Sequence, residues 1–158
     1  MIDTTLAALS IERRTAALAL FTNSRLDGIT IRHLPAEPSK ASHSIAGFLN
    51  SAMDLRHIQF IVLAQPLPAS SLRTEMLHRT AIDAIRAAGI PLLEVPDEQL
   101  FASYAHPPLQ RREQLRRIAR SMWPSLNSAR ATRSSQDAAL LGLHAQIERL
   151  FAFHEVAS

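Results

Sequence analysis

The sequence predicts an α/β protein built on a mixed five-stranded sheet, and three observations carry that prediction. Residues 4–35 fall into three short apolar runs separated by polar turns, which is how strands joined as hairpins read. Two later runs, 58–64 (IQFIVLA) and 90–95 (IPLLEV), are short and almost continuously apolar, as strands covered on both faces are. Between and after these runs, apolar residues recur at the spacing of one helical face.

Each element follows from its residues. The first run ends at Ile11, and Glu12-Arg13-Arg14 turns the chain. Residues 15–21 form the second run, residues 22–28 (TNSRLDG) the second turn, and residues 29–34 the third run, stopped by Pro35. Asn23 and Gly28 are where a positive φ is tolerated, and Asp27 reads as a turn residue. Strands joined by such short turns run antiparallel. After a polar connector over 36–44, Ile45, Phe48, Leu49, Ala52 and Met53 mark a helix that Ser42 or Ser44 could cap. The strand at 58–64 is followed by a proline-containing loop. A helix capped by Ser71 comes next, with Glu75 in its first turn and a stripe of Leu77, Ala81, Ala84, Ile85 and Ala88. Gly89 and Pro91 stop it before the strand at 90–95. Strand, helix, strand with these loop lengths is a parallel crossover. Pro96-Asp97 starts a short helical piece running toward Tyr104. A strongly basic helix over 109–122 ends at Trp123-Pro124. A polar Ser/Arg-rich loop over 125–135 leads to a last helix from about Gln136, with Leu140, Leu143, Ile147, Leu150 and Phe151 on its apolar side.

Composition bounds the function. A chain of 158 residues is one domain of ordinary size, so residues 1–158 are expected to fold as a unit. No run of apolar residues is long enough to cross a membrane. Asp3 precedes any apolar stretch without a basic cluster, so a secretory leader is not expected and a cytoplasmic location is. The absence of cysteine excludes disulfides, cysteine-ligated zinc and thiol catalysis. The net charge is a mild +3, and every basic residue except Lys40 is arginine, a side chain suited to phosphate.

The opening segment carries a resemblance. An apolar strand, a turn with basic residues, Arg13-Arg14-Thr15-Ala16 opening a strand that ends in Phe21, and then a third strand resemble the start of the ribonuclease H-like superfamily. More narrowly they resemble the branch of RuvC- and YqgF-type Holliday-junction resolvases. The element order β-β-β-α-β-α-β-α with a closing helix extends the resemblance over the whole chain and implies helices on both faces of the sheet. It also implies a nuclease that cuts phosphodiesters with two divalent metals held by carboxylates. In that branch the first strand ends in Asp-Pro-Gly. Here Leu9, Ser10 and Ile11 stand in its place, so the first catalytic acid is replaced by Leu9. The second acid, at the end of the fourth strand, is replaced by Ala64. The last helix of the family carries Asp-Ala-Ala-Asp-Ala, and Asp137-Ala138-Ala139-Leu140-Leu141 matches it with the first acid kept as Asp137 and the second replaced by Leu140. One carboxylate cannot hold two Mg²⁺ ions, so no metal is expected, with Asp137 the ligand if there is one. Asp137 also has a plainer role, as the third residue of a capping box begun by Ser134.

Other chemistry is thin. The seven histidines show no metal-ligand spacing, there is no G-x-S-x-G elbow, and the glycines are isolated. His144 reads as a packed core residue. Glu12, Glu94 and Asp97 read as surface or turn acids. The best positive feature is the basic helix. Arg112, Arg116 and Arg120 lie four apart and so form one ridge, flanked by Arg117 and extended in sequence by Arg130 and Arg133. The ridge reads either as phosphate contacts for DNA or RNA or as an ordinary solvated face. Three functions stay open: a resolvase-like domain that has lost catalysis and binds nucleic acid or protein, a diverged Mg-dependent nuclease, and a scaffold or homodimer without a nucleic-acid role.

Overall fold

The computed structural model describes residues 5–65, 71–105, 111–128 and 131–148. Strands β1 (Thr5–Ile11), β2 (Thr15–Thr22) and β3 (Arg25–His33) form an antiparallel meander. Helix α1 (Pro38–Leu55) leads to β4 (Phe60–Ala64), and α2 (Leu72–Ala87) leads to β5 (Leu92–Val95). Helices α3 (Asp97–Tyr104), α4 (Arg112–Met122) and α5 (Arg133–Glu148) complete the described chain, with a 3-10 turn at Pro124–Asn127. The sheet order is β3-β2-β1-β4-β5, with β4 parallel to both β1 and β5. The expected mixed five-stranded sheet is present, with helices on both faces. No described helix is long and apolar enough to cross a membrane.

Strand alternation divides the core in two. Leu6 and Ala8 of β1, with Phe60 and Val62 of β4, face a cluster closed by α3, α4 and α5. Ala7, Leu9 and Ile11, with Ile61 and Leu63, face a second cluster closed by α1 and α2. A period of two puts consecutive residues on opposite faces, so the paired stretches Leu6–Leu9 of β1 and Phe60–Leu63 of β4 are apolar throughout.

Several boundaries differ from expectation, each for a local reason. The second turn is only Asn23-Ser24, both at positive φ (51° and 72°), the geometry a two-residue hairpin requires. Gly28 and Asp27 belong to β3, where the register shifts opposite Leu20 and Phe21 and Asp27 is the extra residue of a bulge. Helix α1 starts six residues before Ser44, at Pro38, whose fixed φ suits a first turn. Ser71 caps α2 as expected, accepting from the Thr74 amide, and Gly89 follows with a φ of +74°. Strand β5 is shorter and more exposed than its composition suggests, with Val95 its one buried residue.

The largest departure is α5. It starts at Arg133, so Ser134 lies inside the helix and caps nothing. Thr132 and Ser135 form the reciprocal cap: the Ser135 amide donates to Thr132 Oγ1 and the Thr132 amide to Ser135 Oγ. Residues 134–142 are buried on every side of the helix, whereas Ile147 is exposed. Leu150 and Phe151 lie outside the described residues. Close packing here depends on Gly142, where an added Cβ would stand 2.2 Å from the Phe21 ring.

Candidate functional site

Strands β1 and β4 run parallel, so their carboxyl ends open at one edge of the sheet, where α/β sheets keep their clefts. A cavity of about 300 Å³ lies there. Ser10, Ile11 and Glu12 from the end of β1 and Ala64 and Gln65 from the end of β4 form its floor. Thr74 and His78 of α2 close one side, and Arg112, Arg116 and Asp137 close the other.

The charged side is a connected network. Arg116 clasps Asp137 at two points, Nε to Oδ1 at 3.0 Å and Nη2 to Oδ2 at 2.9 Å. The same Nη2 donates to Glu12 Oε1 at 2.9 Å. Arg112 donates to Asp97 through Nη2, and its Nη1 stands 3.3 Å from Asp137 Oδ2. Asp137 Oδ2 therefore lies between two guanidinium groups, with Glu12 beyond one and Asp97 beyond the other. Two-point contact of this kind orients both partners. The Asp137 side chain is 4% exposed and that of Arg116 11%, so each charge depends on the other for its solvation. Burial raises the Glu12 carboxyl above its ordinary range, against the pull of the Arg116 charge. Burial also works against the Arg116 guanidinium, but its hydrogen bond and charge contact with Asp137, with Glu12 adding, hold it more firmly protonated than usual.

The arginine ridge is real but turned inward. Arg112, Arg116 and Arg120 share one face of α4, and each is committed to an acid. Arg120 donates to Glu113 at 2.6 Å and to Gln136. The ridge is thus not a free face: the end of β1, α3 and α5 bring Glu12, Asp97 and Asp137 against Arg112 and Arg116, and Arg120 pairs with Glu113 of its own helix. Arg117, Arg133 and, in the β1–β2 turn, Arg13 are exposed and their side chains make no hydrogen bond or ion pair among the described residues, although the Arg13 carbonyl accepts from Arg73 Nε. Arg130 lies outside the described residues.

The positions inferred from the resemblance distribute unevenly. Ala64 does line the cleft. Leu140 is fully buried in the α3–α5 cluster, one turn along the helix from Asp137. Leu9 corrects the expectation for β1. It is fully buried in the α1–α2 cluster, on the opposite face of the sheet from Asp137. The acid at the end of β1 is Glu12, which the sequence reading placed among surface residues. The signal was available in strand parity: counting in twos from Leu6 reaches Ser10 and then Glu12. Asp97 was missed because it lies on a different helix from Arg112, 15 residues away in sequence.

A two-metal centre does not fit these residues. Mg²⁺ takes oxygen ligands at about 2.1 Å in octahedral geometry. The cleft carboxylates are instead turned onto guanidinium nitrogens, and both Asp137 oxygens are engaged. Among the described residues no group of three or more His, Asp or Glu converges to hold a metal ion.

The sequence matches no protein-family profile and no curated protein. Solved structures do match. Thermus thermophilus RuvC superposes with a TM-score of 0.74 at 11% identity, covering 94% of this chain and 97% of that one. The same organism's RuvC in complex with a Holliday junction substrate gives 0.73 at 11% identity, over 94% and 96% of the two chains. The yeast mitochondrial Holliday junction resolvase Ydc2 gives 0.65 at 11% identity, over 98% and 85%. The chain has the RuvC-like ribonuclease H-like fold, and identities this low speak to the fold alone.

Proposed function

We propose that this chain is a nucleic-acid-binding protein of the resolvase fold that acts without cutting. One observation carries the proposal: Arg112 and Arg116 lie across Asp97, Glu12 and Asp137 where a nuclease of this fold would need those acids free for metal. Two monovalent guanidinium groups share the Asp137 carboxylate in the cleft. They neutralise the acids but bring no Lewis acidity and no activated water. Binding then falls to Arg13, Arg117 and Arg133, whose exposed side chains can reach phosphates without reading bases. The basic balance of the chain and the junction complex formed by its structural neighbour support a nucleic-acid partner.

The test is a gel-shift series with four-way junction and linear duplex DNA across a range of salt, beside a cleavage assay in Mg²⁺ and Mn²⁺. Salt-dependent binding without a divalent-metal requirement and without cleavage is expected. The triple variant Arg13→Glu/Arg117→Glu/Arg133→Glu loses that binding. Metal-dependent cleavage that vanishes in Asp137→Ala would establish a diverged nuclease instead. An absence of binding at low salt would leave a scaffold role.

A further inference from the structure

The side of the cavity away from the acids holds two polar groups that the network does not use. Ser10 is 4% exposed, and its hydroxyl makes no hydrogen bond among the described residues. His78 is 5% exposed. Its Nδ1 lies 2.9 Å from the Thr74 carbonyl oxygen, which can only accept, so Nδ1 carries the hydrogen. In the neutral ring that fixes the tautomer and leaves Nε2 as an acceptor, with no partner among the described residues. Neither atom is sealed off without a partner, so both are open to solvent on the cavity, where a polar occupant can take the place of that water. Arg116 adds a third group, since its Nη1 makes none of the contacts to Asp137 or Glu12.

The chemistry of these groups selects the occupant. It must accept from a hydroxyl and a guanidinium, and it must share a proton with an imidazole nitrogen. A phosphate monoester does all three. Its free oxygens accept, and its last ionisable oxygen, with a second pKa of about 6, shares a proton with Nε2. A phosphodiester within a strand has no such oxygen, and a sugar hydroxyl has no charge for the guanidinium to meet. Asp137 and Glu12 stand on the same cavity, but Arg112 and Arg116 already offset them. A volume of about 300 Å³ is at the small end for ligand sites and suits a phosphate with part of its sugar against Ile11 and Ala64. We propose that the cavity seats a phosphate monoester, held by Ser10, His78 and Arg116. The group comes either from the terminus of a nucleic-acid strand or from a free nucleotide. The strand source rests on the nucleic-acid reading above, whereas the nucleotide source does not.

The experiment compares oligonucleotides of one sequence ended by a 5′-phosphate, a 3′-phosphate or hydroxyls, alongside thymidine 5′-monophosphate alone, by calorimetry on the full chain. A phosphate-ended strand is expected to bind at least about tenfold more tightly than the hydroxyl-ended one. Ser10→Ala and His78→Leu should each collapse that ratio toward one, with melting curves showing that both variants fold. Thymidine 5′-monophosphate binding as tightly as the phosphorylated strand would assign the site to free nucleotides. If thymidine 5′-monophosphate binds and no strand does, the pocket stands and the nucleic-acid reading falls. Equal affinity for all three strands together with no binding of the mononucleotide overturns the pocket, and so does a preference that survives in both variants.

Discussion

The two faces of β1 differ by one residue and by everything that follows from it. Leu9 looks toward α1 and α2, into a cluster that apolar side chains close, and Ile11 sits at the edge of that cluster where it also meets the cleft. Ser10 and Glu12, their neighbours in sequence, look toward the cleft. On the first face a charge would find nothing to pair with. On the second, α4 brings Arg116 within hydrogen-bonding range of Glu12, and α5 sets Asp137 against Arg112 and Arg116. The lesson is that a strand can carry core and chemistry at once, separated only by the period of two. Which residue counts as the site acid is then decided by parity.

The hardest way to break this comparison is to put the acid on the wrong face. Leu9→Asp removes a fully buried leucine, a loss of about 1.5–3 kcal/mol, and leaves a carboxylate without a partner, costing several more. The sum is comparable with the whole stability of a typical domain. The expected result is no cooperative unfolding transition at neutral pH and no gain of Mn²⁺ binding. A folded, metal-binding Leu9→Asp protein would mean that Leu9 faces the cleft after all.

Asp137→Ala comes next. It leaves Arg116 without its two-point partner in a site where that side chain is 11% exposed, and removing one member of such a pair costs about 3–5 kcal/mol. Urea unfolding should show a loss of that order. If the loss is under about 1 kcal/mol, the network is a surface feature and the two faces are less different than they look.

Gly142→Ala probes the packing that lets α5 approach the sheet. Alanine is the better helix former by about 1 kcal/mol, but its Cβ would stand 2.2 Å from a Phe21 ring that is itself packed edge-on against Trp123. Overpacking of this kind costs about 1–3 kcal/mol, so a modest net destabilisation is expected. A raised melting temperature would show that Phe21 and Trp123 can move aside.

These contrasts also show what was legible beforehand. The five strands, the Ser71 cap and the parallel crossover could be read because they rest on local pattern and on one capping residue. The start of α5 could not, because Ser134 and Thr132 are both residues that cap helices, and the less favoured of the two does so here. The choice falls to tertiary bonds such as that of Ser134 Oγ with Thr15 Oγ1 at 2.9 Å. The arginine ridge was visible as a ridge, but nothing within α4 says that its face meets Asp137. Glu12 was passed over because aligning on Thr15-Ala16 fixes β2 and leaves the length of the preceding turn open. The pair Ser10 and His78 comes from β1 and α2 and has no common motif to announce it.

The smallest expected effect is a difference in the sign of pH dependence between half-buried Glu12 and buried His144. Burial raises the Glu12 carboxyl in the fold above its ordinary 4.5. From 4.5 up to the raised value the fold binds more protons than the unfolded chain, so this group's contribution to stability falls as pH rises through that window. His144 works the other way. Its Nδ1 donates to Ser103 Oγ at 2.8 Å, Gln99 donates to its Nε2 at 3.0 Å, and burial lowers its imidazole below the ordinary 6.5 against the opposing charge of Glu148. The unfolded chain then binds more protons just below 6.5, so stability is full above that pH and is lost as it falls. Urea unfolding from pH 4 to 8 of the wild type, Glu12→Gln and His144→Gln separates the two. The wild-type-minus-variant difference for Glu12 should decline with rising pH, by under about 1 kcal/mol because solvent reaches that side chain. The difference for His144 should grow with rising pH up to about 6.5 and then level off. Slopes of the same sign would mean that one of these groups is not buried in the way the packing of α5 requires.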